Sequence, residues 1–335
     1  MMETLCTFQM KTSKTCLSNK NILSLLDVNS DEILSILKLA EDLKKEMRTK
    51  NMGSRQVLKG KVLGMIFQKP STRTRVSFEA GMYQMGGNAV YMDSNTIQLA
   101  RGESIEDTAR TLSLYVDCLM ARVYDHRDLQ KLAIAASIPV INGLSDSFHP
   151  CQILADILTV KEQKKKLKGI SIAWVGDGNN VCNDLLIGCA KTGINIRVAC
   201  PKGYEPLEPV ISIAKHEGEI SGAQVNITDD PFVAVDDADA VMTDTIVSIG
   251  KDDEKVTRIN IFVPKYQVNS QLMKQAKKDA IFMHCLPATR GQEVTSEVID
   301  GSGSVVWDEA ENRLHVQKAL LYKLLVGNGS AKTTQ

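Results

Sequence analysis

The sequence predicts an α/β protein of two domains, each a parallel β-sheet flanked by helices. Three observations carry that reading. Short apolar runs alternate with segments of helical period along the chain, as parallel strands covered on both faces require. The alternation breaks at a lysine-rich stretch, KEQKKKLKG (161–169), and then restarts. At 335 residues the chain is also long for a single core. The expected division is residues 1–157 for the first domain and 158–309 for the second, with a last helix over 310–327 packing back on the first. The lysine-rich stretch serves as the hinge and also reads as a solvated helix end.

The elements follow in order. Ser30 reads as an N-cap, with Asp31 and Glu32 in the first turn, where the helix dipole favours acids. Ile33, Leu37, Ala40 and Leu43 then recur at helical spacing. Residues 61–67 form a buried apolar strand. Phe78, Met82 and Met85 share the face of a helix that stops at Gly86–Gly87. Strands are expected at 88–92, 118–124 and 138–141, and Ile105, Ala109, Leu112 and Val116 line a helix. Beyond the break the spacing predicts strands at 170–175, 195–200, 224–227, 240–243 and 280–283. Helices are expected near 181–192 and 207–217 and over 310–326, the last with Leu314, Ala319, Leu321 and Leu325 as its apolar positions.

Forty basic residues balance forty acidic ones, which argues against a nucleic-acid or membrane-surface binder. No apolar run approaches the ~20 residues that span a bilayer. The eight cysteines are scattered, without C-x-x-C or a metal-like alternation with histidine, so a reduced cytoplasmic protein with no bound metal is expected. The N-terminus lacks a secretory apolar segment. It has no arginine and carries Glu3, against a mitochondrial leader, although the matrix stays open as a location.

Chemistry concentrates in a few strand ends. Phe67-Gln68-Lys69-Pro70-Ser71-Thr72-Arg73-Thr74-Arg75 sits between a strand and a helix. Free N–H groups of a helix N-terminus, three hydroxyls and a planar guanidinium suit a phosphate. The glycines of a P-loop are absent, so a small phosphorylated molecule is implied rather than a nucleotide. Trp174-Val175-Gly176-Asp177-Gly178-Asn179-Asn180 lacks the third glycine of a dinucleotide turn. By residue type alone, Arg122 at a strand end reads as a surface charge and His149 before Pro150 as a capping histidine. Asp244 alone passes as a strand-end turn, Cys285 as a buried hydrophobe, and Gln98 and Arg313 as surface residues.

Together these motifs resemble the aspartate and ornithine carbamoyltransferases, from about Ile22 to the last helix. The resemblance implies carbamoyl phosphate on the first domain, an amino acid on the second, and a homotrimer, or a multiple of one, with shared active sites. By that likeness Ser71, Thr72, Arg73 and Thr74 take the phosphate, joined by Gln98 from a neighbouring subunit. Thr74, Arg122 and His149 face the carbamoyl oxygen; Gln152, Arg313 and the backbone at Cys285 and Leu286 surround the carbamoyl group. His284-Cys285-Leu286-Pro287 resembles the ornithine branch, the aspartate branch carrying H-P-x-P. Asn180, Asp244, Ser248, Ile249 and Cys285 would then hold ornithine, with Ile249 where Met is usual. Thr74, Arg122, His149 and Cys285 are the expected catalytic residues, and no cofactor is needed. The expected reaction carries a carbamoyl group to the δ-amine of L-ornithine in arginine biosynthesis; the alternative is another amine, such as putrescine.

Overall fold

The computed structural model describes residues 17–49, 56–247 and 252–326. Among the described residues nine strands form two sheets, all parallel. The first contains β1 (Val62–Phe67), β2 (Asn88–Asp93), β3 (Cys118–Arg122) and β4 (Val140–Leu144), in the order β2-β1-β3-β4. The second contains β5 (Ser171–Val175), β6 (Asn195–Ala199), β7 (Val225–Thr228), β8 (Ala240–Thr243) and β9 (Ile281–His284), in the order β7-β6-β5-β8-β9. The α/β class with two parallel sheets is thus as the alternation predicts.

Helices cover both sheets. They are α1 (Ser30–Thr49), α2 (Thr72–Gln84), α3 (Ile105–Ser113), α4 (His126–Ala135), α5 (Pro150–Lys164), α6 (Asn180–Thr192) and α7 (Glu208–Ser221). Five more follow: α8 (Pro231–Val235), α9 (Lys255–Phe262), α10 (Ser270–Met273), α11 (Ser296–Ile299) and α12 (Val306–Leu325). The long last helix returns to pack on α5, α1 and α2 and also touches β9. It therefore lies against elements of both sheets.

Local physics explains most boundaries. β1 and β3 are central and buried, so their residues are apolar almost without interruption. Phe78 on α2 is fully buried, which contributes about 2–3 kcal/mol. The outer edge of β9 is covered by the chain at 303–305, through Phe282 N–H to Gly303 O at 2.8 Å and Val305 N–H to Phe282 O at 3.0 Å. The outer edge of β4 takes Ile22 in the same way.

Several boundaries differ from expectation. The cap of α1 is Asn29, not Ser30: Asn29 Oδ1 accepts from Glu32 N, and Glu32 Oε2 accepts from Asn29 N, a reciprocal capping box. β4 runs later than 138–141, α12 starts four residues before Ala310, and Leu314 and Leu325 are only half-buried. Helix α4, capped by Asp125, was not anticipated. The lysine-rich stretch is the end of α5 followed by left-handed Lys165.

Each sheet has one switch point, where successive strands depart in opposite directions: between β1 and β3, and between β5 and β8. Crevices outside the carboxyl ends of such strands are where open α/β sheets hold ligands. Gly178, in the turn after β5, has a local structural reason. A Cβ there would overlap the backbone of Glu205 and Pro206, so the residue permits close approach of two loops. Gly178→Ala is expected to lower unfolding free energy by roughly 1–3 kcal/mol in urea titration; an unchanged midpoint would show that the loops give way freely.

Candidate active site

Both switch points open into one cavity of about 1130 Å³. From the first sheet, Ser71 caps α2 by accepting from Thr74 N at 3.2 Å, and this leaves the other N-terminal amides of the helix free. Ser71, Thr72, Arg73 and Thr74 all line the cavity. Arg75 points elsewhere, pairing with Glu79 at 3.1 Å and lying over the Tyr91 ring. Arg73 reaches across the cavity and donates to Leu286 O at 2.6 Å.

Arg122 ends β3 where the pairing with β4 slips between Ala121 and Arg122. Such irregularities re-aim a side chain at a strand end. Its Nε is buried and makes no hydrogen bond with a described residue. Burial, then the charges of Arg313 and Arg73, bring its pKa down to about 10, so it stays a cation at neutral pH. His149 caps α5 in a non-helical conformation, φ −146° and ψ 65°, with its N–H on Asp184 Oδ2 at 2.7 Å. Its Nδ1 also lacks a hydrogen-bond partner among the described residues. Burial and the three arginines hold its pKa well below the usual imidazole range, so the ring is neutral.

Arg313, from α12, donates to Gln152 Oε1 at 2.6 Å and to Thr74 Oγ1 at 3.2 Å. Gln152 in turn donates to Asp156 Oδ1 at 2.8 Å and Glu309 Oε1 at 3.0 Å. Burial pushes the Asp156 carboxyl up to about 7, and burial with the neighbouring Asp156 raises Glu309 well above its usual range. Two carboxyl groups sharing so dry a place hold a proton between them at neutral pH.

The second sheet supplies the opposite wall. Asn179 caps α6 and donates to Asp244 Oδ2 at 2.8 Å, while Asn180 donates to Ser145 O at 2.7 Å. The Cys285 thiol donates to Asp244 Oδ1 at 3.1 Å. Burial and Asp244 raise that thiol's pKa well above its usual value, so the sulfur is protonated. Leu286 adopts φ 57°, left-handed for a residue with a Cβ, and lines the cavity with Cys285. Ser248 and Ile249 lie outside the described residues. Gln98 is on a short 3-10 turn, Gln98–Arg101, and does not line the cavity of its own chain.

Asp244, His284 and Cys285 offer donor atoms within 4.8 Å of one another. Both ring nitrogens of His284 are engaged, however: Nδ1 accepts from Leu286 N at 2.9 Å and Nε2 faces Glu293 at 3.2 Å. That arrangement orients a turn rather than an ion.

Sequence reasoning missed four supporting residues. Arg258 is buried, donates to Ile246 O at 2.6 Å and pairs with Asp177, tying α9 to the turn after β5. Asp184 holds His149 and Leu25. Asp156 and Glu309 stand four residues from Gln152 and Arg313 on their own helices, a spacing that was readable as side-chain neighbours.

Comparison with known proteins agrees with this geometry. Residues 20–162 match the aspartate/ornithine carbamoyltransferase carbamoyl-P binding domain, and residues 168–324 match the Asp/Orn binding domain of the same family. The chain belongs to the aspartate/ornithine carbamoyltransferase family. The ornithine carbamoyltransferase of Cenarchaeum symbiosum is 55% identical over 306 residues, 91% of this chain and 98% of that protein. That of Bacillus subtilis is 50% identical over 320 residues, 96% of this chain and 98% of that protein. The structure of ornithine carbamoyltransferase from Pyrococcus furiosus superposes with a TM-score of 0.90 at 51% identity, covering 94% of this chain and 99% of the other.

The cavity combines cations and helix amides, chemistry that suits a phosphate, with a further cation and a neutral imidazole, chemistry that suits a carbonyl oxygen. Arg122→Ala is expected to lower kcat by about 10²–10³ with the circular dichroism spectrum unchanged; near-normal turnover would remove Arg122 from the site. The raised thiol pKa has its own consequence, since only thiolate alkylates. Cys285 is expected to resist iodoacetamide at pH 7–8, where an ordinary exposed thiol labels readily, as followed by peptide mass spectrometry. Fast labelling at pH 7 would contradict the protonated thiol.

Proposed function

We propose that the protein transfers the carbamoyl group of carbamoyl phosphate to the δ-amine of L-ornithine, giving L-citrulline and phosphate. The observation that carries the amine assignment is the pairing of Cys285 with Asp244 at 3.1 Å, in the H-C-L-P turn, opposite the arginine cluster. The carboxylate suits a free α-amino group, which acetylornithine lacks; Asn180 suits an α-carboxylate, which putrescine lacks; and the thiol in that turn disfavours aspartate.

In this reading residues 1–157, with the helix over 310–327, hold carbamoyl phosphate, and residues 158–309 hold ornithine. Ser71, Thr72, Arg73 and Thr74 bind the phosphate. Thr74, Arg122 and His149 donate to the carbamoyl oxygen as it gains negative charge. Gln152, Arg313 and the carbonyls of Cys285 and Leu286 fix the rest of the group. Asn180 meets the amino acid's α-carboxylate, while Asp244, Ser248 and the backbone at Ile249 meet its α-amine.

The ornithine amine attacks the carbamoyl carbon; the new C–N bond forms as the C–O bond to phosphate breaks, and the departing phosphate takes the amine proton. An alkyl amine of pKa ~10.4 is neutral in only about one molecule per thousand at pH ~7.4. Selecting that form and aligning it are the site's tasks, and alignment alone removes several kcal/mol of barrier. A neutral thiol beside Asp244 adds no second negative charge that would favour the ammonium form.

The same reading includes a homotrimer, or a multiple of one, in which Gln98 serves a neighbour's cavity. Its place outside the lining of its own chain's cavity supports this, as do exposed apolar residues on α4 and just past α3, Ile134 at 85% and Leu114 at 81% exposure. A role in arginine biosynthesis in the cytoplasm fits the six described cysteines, all free thiols. No described helix is long and apolar enough to cross a membrane.

The direct test offers ornithine, putrescine, acetylornithine and aspartate side by side with carbamoyl phosphate and scores each carbamoylated product. Turnover confined to ornithine is expected. Preference for another amine would retain the carbamoyl phosphate half of the reading and overturn the amino-acid side: the role of Asn180 if putrescine is preferred, those of Asp244, Ser248 and Cys285 if acetylornithine or aspartate is.

A further inference from the structure

Gln152 has two amide hydrogens, and both are consumed on the side away from the cavity. One goes to Asp156 Oδ1 at 2.8 Å and the other to Glu309 Oε1 at 3.0 Å, and all three side chains are buried. Flipping the amide would set its oxygen against two carboxyl groups. The orientation is therefore fixed, with Oε1 facing Arg313 and the cavity. The remaining oxygen of Glu309, Oε2, accepts the His284 N–H at 2.9 Å. That amide closes β9 immediately before Cys285 and Leu286. One carboxyl group thus touches the α5 side chain and the β9 turn that together face the carbamoyl group.

We propose that Glu309, with Asp156, is the positioning pair that presents hydrogen-bond acceptors to the carbamoyl NH2 and so selects a phosphorylated amide over an isosteric acyl phosphate. The inference rests on the carbamoyl phosphate reading above and deepens it. A site built to accept from an NH2 discriminates strongly against an analogue without one, because its acceptors are then left unpaired. Acetyl phosphate is such an analogue: a methyl group replaces the NH2, while the phosphate and the carbonyl remain.

The experiment measures KM for carbamoyl phosphate and the inhibition constant of acetyl phosphate in wild-type protein, Glu309→Gln and Asp156→Ala. Glutamine at 309 can accept from only one of the two N–H donors and turns its own NH2 on the other. The ratio of the acetyl phosphate inhibition constant to the carbamoyl phosphate KM is expected to fall at least tenfold in Glu309→Gln, with KM rising while acetyl phosphate inhibits within threefold of wild type. Asp156→Ala leaves one Gln152 N–H unpaired, and the ratio is expected to move at least threefold in the same direction. That variant alone decides the matter should Glu309→Gln fail to fold. Equal weakening of both ligands would mark a merely structural role and overturn the inference, as would an unchanged ratio. A wild-type protein that favours acetyl phosphate would instead overturn the underlying reading.

Discussion

Arg313 donates to Thr74 on α2 and to Gln152 on α5 from a position on α12 that is only 3% exposed. A guanidinium taken so far out of water is tolerable only if its donors are matched, and removal of a partner from such a group typically costs 3–5 kcal/mol. The arrangement around it is consequently stiff. Thr74 is tied to Ser71 through the cap of α2, Gln152 to Asp156 and Glu309, and Glu309 to the end of β9. Arg73 spans the cavity above them to Leu286 O. The distance between the two switch points is set by this chain of buried polar contacts as much as by apolar packing.

The electrostatics follow from that crowding. Burial, together with the charge of Arg73, lowers the proton affinity of Arg122 and Arg313, and burial with all three arginines keeps His149 neutral. A neutral imidazole donates one hydrogen bond without adding a fourth cation. Asp156 and Glu309 offset part of the positive charge from behind, where they cannot compete with an anionic ligand in front. The concentration of cations favours a ligand with more than one negative charge. The protonated Cys285 keeps the amine side of the cavity from becoming doubly anionic.

Most of the strands, their parallel class and the cavity's chemical character could be read from the sequence; the order of the strands in each sheet could not. Central strands announce themselves because burial on both faces removes polar residues, as in β1 and β3. S-T-R-T-R was legible because hydroxyls and guanidinium groups cluster at a strand-to-helix turn, where ligands meet backbone amides, whereas H-P-C-Q stood out only through the family resemblance. Less was legible where the cause is tertiary. Glu309 and Asp156 look like ordinary acids on helix surfaces until α12 folds back on α5. Asp184 caps nothing in its own helix, and its partners, Leu25 and His149, are far away in sequence. The Asn29 cap was missed by one residue because Ser30 has the same propensity, and only Glu32 decides between them.

The central claim is that two substrates held at facing switch points react with each other directly, with no covalent stage on the protein. Its test is isotope exchange between labelled inorganic phosphate and carbamoyl phosphate with ornithine absent. Direct transfer predicts no label in carbamoyl phosphate and no carbamoylated peptide, because the C–O bond breaks only when an amine attacks. Exchange at a rate comparable to turnover, with a carbamoyl group on Cys285, would contradict it and require a nucleophilic thiol.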